Sequence, residues 1–312
     1  YYPDHIHNLV CCPRPAHQKF DKGLYSSYGI APAVMRDRDL GRFLAREKID
    51  LVLQHRLAVS KCLKGAIPSS IKYVVMNHTY HQLSRLSSFT KCDAYVSVCK
   101  YLHNETRWSR AIHPSRTIVI LNGVENDYLA DINAAELEGE LKTGRCHRLV
   151  NSKFRTDSLK WMEGKVRKHI PGHRHYLIGH NGDAKKMCKR GTVCKYFGSV
   201  FDRNKKMSIL KALDLYFYET FGHEGASIAI LEALACGVPV LCKNFGGNNE
   251  LIQDGVNGYI LDSREEYLMR MKDLQDKEKL AELRASTIED FNNRLHVKYT
   301  AAKYMQLFEA LR

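Results

Sequence analysis

The sequence predicts an α/β protein of two halves, each a parallel sheet with helices packed on it. Two observations carry this reading. Short apolar runs alternate with amphipathic stretches along the chain, which is the pattern of parallel α/β layers. The two halves meet near residues 124–144, a polar and acidic stretch without a proline/glycine linker.

The elements follow in order. Residues 6–12 read as a strand ended by Pro13, and residues 36–48 show helical spacing through Leu40, Phe43 and Leu44. Strands are predicted at 49–53, 71–76, 94–98 and 117–121, after which the turn Asn122-Gly123 closes the first half. The second half opens with a strand at 145–150 and a helix near 158–169. Further strands are predicted at 175–178, 194–197, 215–218 and 239–242, with a helix over 227–236. The tail from 264 to 312 is almost wholly helical and lacks proline.

The composition sets bounds on function. The chain has 312 residues, 44% hydrophobic and 26% charged, as in soluble globular proteins. No apolar run approaches the roughly 20 residues a membrane-spanning helix needs, and Tyr1-Tyr2-Pro3-Asp4-His5 does not resemble a signal peptide. A cytoplasmic location is expected. The ten cysteines are scattered, and Cys188 and Cys194 with His173, His175 and His180 lack regular ligand spacing. No metal site and no resident cofactor are expected. The net charge of +14 attracts phosphates of any kind. No RNA-binding aromatic signature or zinc finger accompanies it, so nucleic acid is not the expected partner. Arg36, Arg38, Arg42, Arg46 and Lys48 recur on one helix. They form either a solvated face or a patch that docks on the inner, anionic face of a membrane. Lys165, Arg167, Lys168, His169, His173 and Arg174 form a second basic cluster.

Ligands of open parallel sheets bind beyond the carboxyl ends of the strands, and His78, Arg148, Gly179, Gly198 and the loop 222–225 all fall there. The most informative segment is Glu224-Gly225-Ala226-Ser227-Ile228-Ala229-Ile230-Leu231-Glu232, followed by an alanine-rich helix and Gly237-Val238-Pro239-Val240. Gly225 permits close backbone approach, and the start of the helix at Ala226, Ser227 and Ile228 offers N–H groups to a phosphate. Ser227 is placed to be its N-cap.

This segment resembles glycosyltransferase family 4, whose signature is two glutamates separated by seven residues before such a helix. Several other landmarks match in order. Arg148-Leu149-Val150-Asn151-Ser152-Lys153 is similar to the element that grips the donor diphosphate. Tyr176-Leu177-Ile178-Gly179 and Tyr196-Phe197-Gly198-Ser199-Val200 are similar to the family's glycine-bearing strand ends. Val119-Ile120-Leu121-Asn122-Gly123-Val124 and Val75-Met76-Asn77-His78 match landmarks of its first half, and Phe245-Gly246-Gly247-Asn248-Asn249-Glu250 a later one. There are departures. His147 and Phe154 stand where the phosphate loop usually has glycines. Glu219-Thr220-Phe221-Gly222 copies another family version of the first-glutamate loop, although only Glu224 has its partner eight residues on. The strand and glycine-rich loop that open the family fold have no counterpart ahead of residue 6, so a shortened N-terminal domain is expected.

The resemblance implies the GT-B fold, two Rossmann-like domains facing a central cleft. An acceptor-side domain is expected at 1–126, a nucleotide-sugar-binding domain at 127–290, and a helix at 291–312 returning to the first. It further implies a retaining, metal-independent hexosyltransferase that uses a UDP- or GDP-linked donor. The acceptor would be a glycan or a lipid-linked sugar, in surface polysaccharide or lipopolysaccharide synthesis. Catalytic roles fall to His78 and Glu224. Donor binding falls to Arg148, Lys153, Gly179, Gly198, Val200, Gly225, Ala226, Ser227, Ile228 and Glu232, with Gly246, Gly247 and Glu250 as further candidates. Read without the resemblance, Glu232 is a helix-surface carboxylate, Arg148 and Lys153 are solvated charges, and His78 is a core or capping histidine. Gly246 and Gly247 then serve a turn, and Glu250 caps the next helix. Two other functions fit the architecture: a nucleotide-sugar epimerase, and a catalytically inactive nucleotide-sugar-binding protein.

Overall fold

A computed structural model describes residues 9–12, 31–34, 40–55, 67–78, 92–105, 113–150, 153–222 and 224–312. The chain divides into two compact units. One comprises residues 1–98, 103–120 and 301–312, the other residues 99–102 and 121–300. The first unit therefore closes at Ile120 rather than at the expected 126, and takes back the chain from 301 rather than 291.

The first unit holds β1 (Leu9–Cys12) paired in parallel with β2 (Ala31–Val34), and α1 (Leu40–Arg46). A four-stranded parallel sheet follows, of β3 (Leu51–His55), β4 (Lys72–Asn77), β5 (Ala94–Ser97) and β6 (Thr117–Val119), in that order. Helix α2 (Lys100–Glu105) follows β5, and its residues 100–102 belong to the second unit. Val74, Ala94, Val96 and Ile120 are buried, and Tyr304, Leu307, Phe308 and Leu311 of the returning C-terminal segment pack on them. In the basic helix, Arg42 and Arg46 are exposed, and Arg46 is taken up by Glu47 at 2.7 Å and by the Phe43 ring. Arg36 and Arg38 lie outside the described residues.

The second unit is built on six parallel strands. β7 (Leu141–Cys146) leads to the helical segment α3, which runs from Asp157 to His169 through a π turn at Met162–Val166. Then come β8 (His173–Ile178), α4 (Gly182–Arg190), β9 (Cys194–Gly198), α5 (Arg203–Lys211), β10 (Leu215–Tyr218), α6 (Ile228–Ala235), β11 (Val240–Lys243) and β12 (Gly258–Leu261). Helices α7 (Arg264–Asp273), α8 (Lys277–Asp290) and α9 (Val297–Leu311) complete the chain. The predicted helical tail is thus three helices, interrupted where Asp276 turns its carboxylate onto the N–H groups of Glu278 and Lys279.

The strand order is β12-β11-β10-β7-β8-β9. From β7 the chain first winds outward through β8 and β9, then returns to the other side for β10, β11 and β12. The winding direction reverses between β7 and β10, and in open parallel sheets the crevice at such a reversal is where ligands bind. One sequence expectation moves here. The strand predicted at 145–150 lies at 141–146, so Arg148 sits beyond its end rather than on it. Arg145, read as the start of that strand, instead lies near its end and is buried.

Candidate donor site at the sheet's switch point

The loops that follow β7 and β10 supply the crevice. In the first, Arg148 is exposed and Lys153 half-buried, and in the second Glu224 is buried. The Lys153 Nζ and the Glu224 Oε1 form an ion pair across the reversal. The Tyr218 hydroxyl, at the end of β10, donates to the Glu224 Oε2 at 2.7 Å. The Glu224 carboxylate is therefore fixed from two sides before any ligand arrives.

The backbone around Glu224 is fixed as well. Its carbonyl accepts the Gly247 N–H at 3.0 Å. Gly246 has φ +74°, and a Cβ there would stand 2.8 Å from the Glu224 carbonyl oxygen, so this position requires glycine on both counts. Helix α6 begins just beyond. Ser227 occupies the N-cap position with extended backbone, but its side chain makes no capping bond, contrary to the expectation. Its hydroxyl lies 3.3 Å from the Tyr218 hydroxyl, and its N–H donates to the Asn248 Oδ1 at 3.1 Å. The carbonyl of Ser227 accepts the N–H groups of Ile230 and Leu231. Gly225 and Ala226 are buried under the loop, whereas Ile228 in the first turn is 46% exposed, an unusual place for isoleucine.

Glu232 lies further along α6 and pairs with the Lys206 Nζ of α5 at 2.6 Å. Lys206 is a site residue that the sequence does not single out, since nothing distinguishes it among 48 basic residues. The glycines after β8 and β9 bring their strand ends together. The Gly179 N–H donates to the Gly198 carbonyl at 2.8 Å. Gly179 has φ +141°, and a Cβ there would lie 2.1 Å from the His147 carbonyl oxygen. Asn181, also missed from the sequence, caps α4 through the Ala184 N–H and donates its amide to the Leu149 carbonyl at 2.7 Å. Val200 is half-buried just past β9.

The two first-loop glutamates have different partners. Glu219 is buried and held by Arg264, whose Nε and Nη2 donate to its two oxygens at 2.9 and 3.0 Å. Bidentate arginine pairs are among the strongest charge-assisted bonds. Glu219 thus ties β10 to α7. Glu219→Ala would leave Arg264 half-buried beside Asp157 alone, and should lower unfolding stability by about 2 kcal/mol. Urea unfolding checks this, with nucleotide affinity expected to stay unchanged.

Glu250 also finds a structural partner, though not the helix after it. Its carboxylate accepts the N–H groups of Lys100 and Tyr101 at 2.8 and 2.7 Å, at the start of α2. Gly247 is required nearby, where a Cβ would lie 2.4 Å from the Cys99 Sγ. His78 follows β4 in the first unit and is half-buried. Among the described residues no group of three or more His, Cys, Asp or Glu could hold a metal ion. His173 and His175 instead share the Thr143 hydroxyl at 2.8 and 2.7 Å, and burial pushes the His173 ring down to about 3.

Residues 168–292 match the family model described as glycosyl transferases group 1. An uncharacterized glycosyltransferase of Methanocaldococcus jannaschii is 28% identical over 119 residues, 37% of this chain and 30% of that protein. The phosphatidyl-myo-inositol mannosyltransferase of Mycobacterium tuberculosis is 26% identical over 165 residues, 50% of this chain and 42% of that protein. The chain thus spans less than half the length of these curated relatives. Among solved structures, a glycosyltransferase from Rickettsia africae superposes with TM-score 0.74 at 14% identity, covering 92% of this chain and 86% of that one. HepE of Anabaena, in complex with UDP, gives 0.72 at 17% identity, with 93% and 89% covered. The fold is GT-B.

Proposed function

We propose that this chain, a GT-B fold whose residues 168–292 belong to the glycosyl transferases group 1, transfers a hexose from a nucleoside diphosphate sugar to a glycan or lipid-linked acceptor. The observation that carries the reading is the meeting of Lys153 and Glu224 at the point where the sheet reverses its winding. That point is where such sheets bind ligands, and the pair supplies both things a nucleotide sugar needs. Lys153, with Arg148 and the N-terminus of α6, offers positive charge to a diphosphate. Glu224 offers a fixed acceptor to sugar hydroxyls, and Glu232 does the same for a ribose once Lys206 yields.

In the reaction the bond from the anomeric carbon to the diphosphate oxygen breaks, and the acceptor oxygen forms its bond on the same face. The proton of the acceptor hydroxyl passes to the departing phosphate oxygen. Negative charge grows on the diphosphate as it leaves, and fixed cations and backbone dipoles neutralise it without reorganising. The reading is therefore a retaining transfer in which Arg148 and Lys153 do the neutralising. HepE has been crystallised with UDP and with UDP-glucose, which makes uridine the first base to try. The mycobacterial mannosyltransferase, named for a phosphoinositide lipid, favours a lipid-linked acceptor. Gly179, Gly198 and Val200 are placed in this reading along the nucleotide, and Ile228 beside its ribose and base.

A transfer assay with a chelator tests the mechanism. EDTA should leave the rate within about two-fold, since protein cations carry the charge, and the product should keep the donor's anomeric configuration. Collapse of the rate with EDTA, or an inverted product, contradicts it.

A further inference from the structure

Arg145 is a full positive charge in the interior of the second unit, 1% exposed one residue before the end of β7. No carboxylate lies within ion-pair distance of it among the described residues. Its guanidinium lies over the rings of Phe154 and Tyr218, at 5.4 and 5.1 Å. Burying an unpaired cation is costly, and an apolar side chain would fill a sheet interior without that cost. Some compensating use is therefore required of it.

Its hydrogen bonds show what that use is. The Nη2 donates to the Lys153 carbonyl, and the Nε donates to the His147 Nε2. A neutral imidazole that accepts at Nε2 carries its proton on Nδ1, and His147 Nδ1 lies 2.6 Å from the Arg148 carbonyl, to which it donates. Burial, and then the charge of Arg145, push His147 well below its ordinary range, which keeps it in that neutral form. One guanidinium thus holds the backbone at Lys153 directly and at Arg148 through His147. The Tyr218 ring it lies over carries the hydroxyl that donates to Glu224.

We propose that Arg145 is a positioning residue of the donor site, presetting Arg148 and Lys153, with His147 as its relay, to receive the diphosphate. This rests on the reading of those two residues as the diphosphate grip. The incoming anion then serves as the counter-charge that Arg145 lacks in the interior. The glycine usually present at position 147 could not transmit the bond, so the buried arginine and the histidine act as a pair.

The test compares the full chain with Arg145→Met, Arg145→Lys and His147→Phe. UDP and GDP affinity is measured by calorimetry, and uridine and guanosine binding by saturation-transfer NMR. Arg145→Met should raise the Kd for the diphosphate that the wild type binds by about ten-fold, while the nucleoside changes by less than about two-fold. Arg145→Lys keeps the charge but not both bonds, and should fall between. An unchanged diphosphate Kd in folded Arg145→Met overturns the proposal. So does an equal loss for the nucleoside, which would mark a general packing role. If Arg145→Met does not fold, His147→Phe decides: a loss of about five-fold, selective for the diphosphate, is expected, and no loss overturns the proposal. A wild type that binds neither diphosphate defeats the donor-site reading itself, and this inference with it.

Discussion

Replacing Glu224 by glutamine should lower kcat/KM for sugar transfer by about 100-fold, roughly 2.7 kcal/mol of transition-state stabilisation. Glutamine keeps the shape of the side chain and can still accept the Tyr218 hydroxyl. It loses the charge that pairs with Lys153 and that orients donor hydroxyls as the glycosidic bond stretches. The affinity for the free nucleoside diphosphate should change little, because the proposed role of Glu224 is to meet the sugar and not the nucleotide. Steady-state kinetics beside a binding titration separates the two, and an unimpaired transfer rate would remove Glu224 from the sugar site. Glu219→Ala should lose stability instead, so the two neighbouring glutamates are expected to fail in opposite assays.

The largest stability effect is expected at Gly179. Alanine there would be forced to φ +141°, a conformation that L side chains rarely adopt, with its Cβ 2.1 Å from the His147 carbonyl oxygen. Neither atom can yield cheaply, since the carbonyl oxygen is backbone and the Cβ is fixed rigidly to backbone. Gly179→Ala should cost about 3 kcal/mol, read as a lowered urea midpoint with unchanged slope. It should also weaken donor binding, because relieving the clash moves His147 and with it the carbonyl of Arg148. Gly164→Ala is the matched control. Nothing lies within 4 Å of a Cβ at that helical position, and the change should stabilise by about 0.5–1 kcal/mol. An equal cost at both positions would contradict the packing described for Gly179.

How much of this was legible in the sequence depends on how local the determining physics is. Strand β10 falls where four consecutive apolar and aromatic residues place it, and helix α6 where an alanine-rich run follows a glycine. Glu224 and Glu232 could be singled out because their spacing is a property of one loop and one helix. Helix α4 was harder, since its only buried residue is Ala184, and Met187 and Cys188, which pack on the core, stand among four basic residues. The misplaced β7 has a specific cause: Arg145 looks like a solvent-facing residue, and only the packed sheet reveals that it is enclosed by Phe154 and Tyr218. Ser227 is where a cap belongs, yet its hydroxyl has turned to Tyr218, which no local rule foresees. Glu250 and the backbone of Lys100 are 150 positions apart in the chain. Lys206 and Glu232 likewise sit on separate helices. Partners of that kind are set by topology, and a single sequence carries no trace of them.

The ion pairs also bear on how a ligand enters. Lys153 and Lys206 already hold Glu224 and Glu232. A donor must therefore replace protein contacts rather than fill an open set of charges. Both pairs are largely buried, with side chains 26% and 7% exposed in one and 23% and 20% in the other, so the ligand's own charge has to compensate the contact it displaces. Binding should then be sensitive to the charge of the ligand more than to its size.

The most direct test of the donor site is thermal unfolding of the wild-type chain with UDP, GDP and their hexose conjugates, each titrated to saturation. A ligand that binds only the folded state stabilises it by about 2.7 kcal/mol at 100 times its Kd. At least one of these nucleotides should raise the unfolding temperature in a concentration-dependent way, and Lys153→Ala should abolish most of that rise. Unfolding that no nucleotide shifts, or a shift that survives intact in Lys153→Ala, would contradict a diphosphate site at the junction of β7 and β10.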